Sequence, residues 1–448
     1  MTLIEARYAN RNVPRYTSYP TAPHFNAQIG PQTYAGWLAD LPDAPLSLYL
    51  HVPFCREICH YCGCNTKASR KDEPIAAYGE TLIKEIRLVR SLIGARRSVS
   101  HIHWGGGTPS LMPRTSFLRI METLHEAFDF APGHEHAIEL DPRTVTAEIA
   151  GTLAMSKVTR ASLGVQDFDA TVQEAIGRLQ SFDTVATAVG LLRNEGIDAI
   201  NFDLMYGLPR QTLGAIRETV KRALALEPGR IALFGYAHVP WFKKNQTLID
   251  ETDLPEAQAR RELADAAREA IVEAGYVAIG LDHFARPDDP MAIALREGTL
   301  HRNFQGYTTD DAEILIGLGA SSIGRLPQGY IQNAPDVGGW ERAIDAGHPP
   351  VVRGIALDEN DRTRADIIEM LMTCYEANVE TIARRHGMEP EQLADGLERL
   401  QEMVDDGLAV IEGWTVRVTD AGKPFVRVAA AAFDSYLANG SARHSVAV

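Results

Sequence analysis

Four of the five cysteines in this 448-residue chain fall within ten residues, CREICHYCGC, as Cys55, Cys59, Cys62 and Cys64. Thiolates this crowded point to metal binding, because five cysteines, an odd number and mostly clustered, do not make a disulfide framework. Structural zinc usually takes two separated pairs of ligands. No second pair follows here, although His60 and Cys64 could complete an irregular site. The C-x3-C-x2-C spacing suits a [4Fe–4S] cube better, since cysteine thiolates hold such cubes and three of them leave one iron open. Cys64 is then either a spare buried thiol or a functional group near whatever the cluster acts on.

A loop of this kind needs a rigid support. Short apolar runs at 46–52, 99–104, 136–140, 160–166, 199–207 and 230–239 read as strands, with helical spacing between them over 76–93, 115–127, 146–154, a stretch reaching 195, and 211–226. Six βα units with near-continuous apolar strands imply a parallel sheet buried on both faces. The expected class is α/β, a partial (β/α)6 TIM-like barrel. In such folds chemistry sits on the loops after the strands, and the cysteine loop follows the first strand at once. The second strand ends in HWGGGTPS, whose glycines Gly105 to Gly107 let backbone approach a ligand closely. Glu139 closes the third strand, either a surface strand-end acid or a carboxylate facing a ligand at that rim. His51, at the end of the first strand, is either a partner near the site or a satisfied core histidine.

Hydrophobic content of 45% with 23% charged residues describes an ordinary globular protein. The net charge of -15 argues against general affinity for nucleic acid or anionic membranes, so an anionic substrate needs a local basic patch. No apolar run approaches the ~20 residues needed to cross a bilayer, and the N-terminus lacks a secretory apolar segment. A cytoplasmic monomer is the expectation. Three spans suggest themselves: an N-terminal arm (1–44) rich in Tyr, Arg and Pro, a catalytic domain (45–335), and a mostly helical, winged-helix-like C-terminal domain (336–448). The acidic helices of the last span lack the basic face that DNA binding requires.

With Tyr61 as its aromatic, the C-x3-C-x-Φ-C motif resembles that of the radical S-adenosylmethionine enzymes. PRYTSYPTA, YLHVPFCREICHYCGCN, HWGGGTPS, ELDPR, SLGVQDFD, FDLMYGLP, YAHVPW, DHFARPDD and LHRNFQGYTT, in this order, are together similar to the oxygen-independent coproporphyrinogen III oxidases. The resemblance implies oxidative decarboxylation of two propionates of coproporphyrinogen III to vinyl groups, giving protoporphyrinogen IX. A 5′-deoxyadenosyl radical would take a β-hydrogen from each propionate, and external partners would donate and accept electrons. It further implies Cys55, Cys59 and Cys62 as cluster ligands and two molecules of S-adenosylmethionine. Tyr49, Tyr61, Gly106, Glu139 and Ile323 would contact the first; Gly107, Thr108, Gln166, Arg178, Asp203 and Ala237 would contact the second. Cys64 and His51 are the catalytic candidates. Arg15, Tyr16 and Tyr19 of the arm, with Arg302 and Gln305, are candidates for the four substrate carboxylates, because arginine binds carboxylates in a fork. The alternative is a haem-trafficking chaperone of the same superfamily. Such proteins typically lack the arm and the fourth cysteine and carry a tryptophan in the HRNFQGYTT stretch; this chain has both features and no such tryptophan.

Overall fold

In the computed structural model, which describes residues 3–437, LSLYLHV forms strand β1 (Leu46–Val52), buried on both faces. Five more strands add to one edge in parallel and in chain order: β2 (Ser98–Gly106), β3 (Asp129–Leu140), β4 (Arg160–Gln166), β5 (Ala199–Tyr206) and β6 (Arg230–Gly235). Each overlaps the apolar run that predicts it, although β3 starts earlier, at Asp129, and β6 ends earlier, at Gly235. β1 does not close on β6. Its other edge takes a seventh parallel strand, β7 (Ile314–Leu318), followed by antiparallel β8 (Ile323–Leu326) and β9 (Gly329–Asn333). The partial barrel is therefore extended at this edge by strands that the sequence reading leaves unassigned, Val351–Ala356 lying beyond β9.

Helices between the strands start on capping side chains. Thr146, Ser181 and Thr212 each accept the backbone N–H three residues on, satisfying a donor that the first helical turn leaves free. The longest of these helices, α1 (Glu73–Ile93), buries Ile75, Leu82, Ile86, Val89 and Ile93 at helical spacing. Its buried face also carries two polar groups. Tyr78 donates from its hydroxyl to the His51 carbonyl (2.7 Å) and accepts from the Ala320 N–H (2.9 Å). Glu85 accepts from Gly319 N–H (2.6 Å), Asn333 Nδ2 (2.7 Å) and Trp340 Nε1 (3.1 Å). These bonds hold the turn after β7 against the end of β1.

The barrel unit comprises Ala27–Gly275 and Ala312–Gly354. It includes helix α2 (Val337–Asp345), which supplies Trp340, although the sequence reading places the boundary before this helix. A second unit gathers residues 3–26, 276–311 and 355–437. It contains the helices Glu359–Cys374 and Ala394–Asp405 and a three-stranded antiparallel sheet of Glu376–Asn378, Thr415–Val418 and Ala409–Glu412. Its core joins Tyr8 and Tyr16 to Ile368, Leu371, Val416 and Phe433. Residues 276–311, read from sequence as part of the catalytic domain, belong to this unit, and 438–448 of the expected C-terminal domain lie outside the described residues. Among the described residues no helix is long and apolar enough to cross a membrane.

Candidate active site

The parallel register brings the ends of the strands to one rim. His51 lies level with Gly105, Tyr49 with His103, Glu139 with Ser162, and Gly164 with Asp203. At the first strand end Tyr49 and His51 form a chain. The His51 Nε2 faces the Asn65 carbonyl (3.1 Å), which can only accept, so Nε2 carries the proton. Nδ1 then accepts from the Tyr49 hydroxyl (3.0 Å). Burial holds the imidazole below its usual pKa and hence neutral. His51 thus straps the chain just after the cysteine loop to β1, with both ring nitrogens in use.

Glu139 accepts from His103 Nε2 (3.2 Å) and from Gly106 N–H (3.1 Å). Burial works to raise its pKa, but the bonds from His103 and Gly106 outweigh it and hold the carboxyl below its ordinary value. Glu139 is therefore an ionised carboxylate against the glycine turn. Asp203 differs: burial, and then the charge of Glu139, push it up to about 7, while Ser162 donates to it at 3.3 Å. Two carboxyls on one rim are set apart by their surroundings, one charged and one near its titration point.

The glycine turn is stitched to the start of the cysteine loop. Gly107 N–H donates to the Val52 carbonyl (2.9 Å), Thr108 N–H to that of Phe54 (2.7 Å), and the Thr108 hydroxyl to Cys55 Sγ (3.7 Å). A Cβ on Gly107 would stand 2.5 Å from the Phe54 carbonyl oxygen. Backbone cannot yield cheaply there. Gly107→Ala is expected to cost about 1–3 kcal/mol as an overpacked site, and to lower iron bound per chain more than it lowers the melting temperature. Unchanged iron content would show that the close approach does not shape the loop.

The loop itself is pinned from β6's side. Asn245 Nδ2 donates to the carbonyls of Cys59, His60 and Cys62 (3.1, 3.1 and 2.9 Å). Gln246 Nε2 bridges the carbonyls of Tyr61 (2.8 Å) and Ala237 (3.2 Å). The Arg178 guanidinium reaches Cys59 Sγ (3.5 Å), the Gly164 carbonyl (2.7 Å) and Asp141 (3.2 Å). Its Nε is buried without a partner. Cys64 bonding to Cys62 holds the latter's thiol down to about 6. Among the described residues, no three His, Cys, Asp or Glu side chains are grouped to hold a single metal ion. Cys55, Cys59 and Cys62 instead contact Thr108, Arg178 and Thr66 respectively. Three thiols from one loop, held apart and with a cation beside one, match the donor set of a cube in kind.

Of the residues singled out from sequence, the barrel unit holds Tyr49, His51, the four clustered cysteines, Tyr61, Gly106, Gly107, Thr108, Glu139, Gln166, Arg178, Asp203, Ala237 and Ile323. Gln166 ends β4 at φ +67, and a Cβ on Gly164 would lie 2.9 Å from its Nε2 and 3.4 Å from Arg178 Nη2. Ile323 starts β8, its carbonyl against Gly317, which pairs with Tyr49. Cys64 is exposed, not a buried spare.

Arg15, Tyr16, Tyr19, Arg302 and Gln305 belong to the second unit. There the Tyr16 hydroxyl donates to Asp434 (3.0 Å) and that of Tyr19 lies 2.9 Å from Ser435 Oγ. Arg302 donates to the carbonyls of Tyr16 and Arg15 and lies over the Tyr307 ring, while Gln305 donates from its backbone to Asn303. Asp141, Asn245 and Gln246 were not singled out from sequence. Asp141 stands inside the ELDPR stretch, where it caps the following turn through Arg143 N–H.

A family model described as the Radical SAM superfamily matches residues 49–223. The oxygen-independent coproporphyrinogen III oxidase of Bradyrhizobium diazoefficiens is 51% identical over 446 residues, covering 99% of each chain. That of Paracoccus denitrificans is 44% identical, covering 97% of this chain and 96% of its own. The solved structure of coproporphyrinogen III oxidase from Escherichia coli, described as a radical SAM enzyme, superposes with a TM-score of 0.91 at 37% identity, covering 94% of this chain and 97% of its own.

Proposed function

The chain belongs to the radical SAM superfamily and, within it, to the oxygen-independent coproporphyrinogen III oxidases, and from that premise we propose how its residues divide the work. The reaction is the oxidative decarboxylation of two propionates of coproporphyrinogen III to vinyl groups, giving protoporphyrinogen IX in anaerobic haem synthesis. Each propionate gives up a β-hydrogen atom, CO2 and one electron. When bound, a [4Fe–4S] cluster and S-adenosylmethionine supply the 5′-deoxyadenosyl radical that accepts the hydrogen.

Cys55, Cys59 and Cys62 would hold the cluster, with the Arg178 guanidinium beside Cys59. Tyr49, Tyr61, Gly106, Glu139 and Ile323 would line the place of one S-adenosylmethionine, where the Glu139 carboxylate suits an ammonium or ribose hydroxyls. Gly107, Thr108, Gln166, Arg178, Asp203 and Ala237 would line that of a second. Cys64 would work beside the substrate; His51 would keep the loop in place. Arg15, Tyr16, Tyr19, Arg302 and Gln305 would serve the substrate side. An external donor and an external acceptor would exchange electrons with it, and the enzyme would act as a cytoplasmic monomer that binds neither nucleic acid nor membrane. One observation carries this reading: three thiols of one loop stand at the rim that holds the ionised Glu139 against a glycine turn.

The test is anaerobic. Reconstituted protein receives coproporphyrinogen III, S-adenosylmethionine and a reductant, and porphyrins are separated by chromatography. Conversion to protoporphyrinogen IX is expected; tight haem binding without turnover would overturn the assignment.

A further inference from the structure

The rim segment after β6 carries a patch that none of these roles uses. Trp241, Phe242 and Leu248 are 66, 72 and 64% exposed. Aromatic surface of this size left open at a site marks something that covers it. The backbone beneath is fixed, because Gln246, 1% exposed, accepts from Val239 N–H (2.6 Å) while it and Asn245 bind the cysteine loop. Between the aromatics and these anchors stand Lys243 and Lys244. Neither has a carboxylate partner among the described residues; Lys243 Nζ donates to the Cys64 carbonyl (2.9 Å) and lies 5.1 Å from the Phe242 ring centroid. Unpaired cations beside exposed aromatics attract a ligand that is both anionic and apolar, and at a net charge of -15 such cations must act locally.

We propose that Trp241, Phe242, Lys243 and Lys244 form the bed on which the tetrapyrrole lies, aromatic faces against its pyrrole body and ammonium groups on its propionates. The occupant follows from chemistry and place. The substrate joins apolar rings to a carboxylate periphery, and one propionate must come near the cysteine loop, to which this segment is directly hydrogen-bonded. The inference rests on the reaction assigned above.

Binding and turnover separate the two claims. Equilibrium binding of coproporphyrinogen III to the cluster-loaded protein is measured under argon for the unmodified chain, W241A/F242A, K244M and K243M/K244M, with iron content and the reduced-cluster spectrum checked in each. K243M/K244M is expected to bind about tenfold more weakly, the weight of one charge-assisted hydrogen bond, and to lose much of the salt dependence. K244M, whose ammonium holds no part of the loop, should move the same way by less. W241A/F242A is expected to weaken binding to a similar degree with its salt dependence kept. Binding within about twofold of the unmodified chain in all variants, under half a kcal/mol, would overturn the proposal, as would an unmodified chain that does not bind. An unmodified chain that binds through these residues yet forms no protoporphyrinogen would sink the reaction and leave the bed standing. Variants with unchanged affinity that are reduced more slowly by a protein donor, but not by dithionite, would give the patch to the donor instead.

Discussion

A Cys59→Ser chain, prepared without oxygen, is expected to lose its cluster and to turn over at least about a thousandfold more slowly, a barrier increase of roughly 4 kcal/mol or more. Cys59 is the buried member of the cysteine group, and Arg178 Nη1 lies 3.5 Å from its sulfur. The ligand is the thiolate, and a serine hydroxyl does not ionise near neutral pH even beside a guanidinium. The loop should survive, because its carbonyls are held by Asn245 and Gln246 rather than by the thiol. Iron content and the reduced-cluster spectrum should therefore collapse while the unfolding midpoint of the metal-free chain moves little. Cys374→Ser, at a half-buried thiol in the second unit, should change neither iron nor turnover. Cys64→Ser should keep the iron and lose turnover; full activity in that variant would remove the working role given to this thiol. Full iron and activity in Cys59→Ser would take Cys59 out of the ligand set.

What the sequence made legible follows the range of the forces involved. The cysteine loop, the six parallel strands and Glu139 are local signals: a spacing, an apolar run, an acid at a strand end. Asn245 and Gln246 carry no such signal. They act on carbonyls more than 180 residues away, and an amide in a polar loop looks the same whether it pins a loop or faces water. Arg178 is expected from the resemblance to contact a second S-adenosylmethionine, yet its fork is largely taken by Asp141 and the Gly164 carbonyl; only the fold brings these into reach. The second unit was hardest to see, since its core is assembled from three separated stretches of chain. β7 to β9 were missed for a related reason. Their neighbour is β1, the first strand, and the bond that fixes them comes from Glu85 on a helix far upstream.

That glutamate carries the second large prediction. Glu85 is 1% exposed and is the shared acceptor of Gly319 N–H, Asn333 Nδ2 and Trp340 Nε1. Glu85→Ala would leave these donors facing a cavity. With an unpaired buried donor costing about 1–3 kcal/mol, and some relief from water or local relaxation, a loss of about 3–5 kcal/mol is expected in urea unfolding. Turnover should fall with it, since the turn after β7 adjoins His51 and leads into Ile323. The pH dependence has a definite sign. Burial raises the Glu85 carboxyl to about 7, against the three donors that pull the other way. A folded-state pKa above the unfolded value means the native chain holds the proton more tightly. The contribution is then complete below the unfolded pKa of about 4.3 and is lost as pH rises through the folded one. Between about pH 5 and 8 the unmodified protein should lose roughly 2–3 kcal/mol from this group. Asp203, also raised to about 7, adds a loss of the same sign, so the comparison must be made within one background. Glu85→Gln cannot ionise and should flatten the profile by that amount, whatever its stability at a single pH. An identical slope in the two proteins would mean that Glu85 is already charged in the folded chain, and that its three donors outweigh its burial.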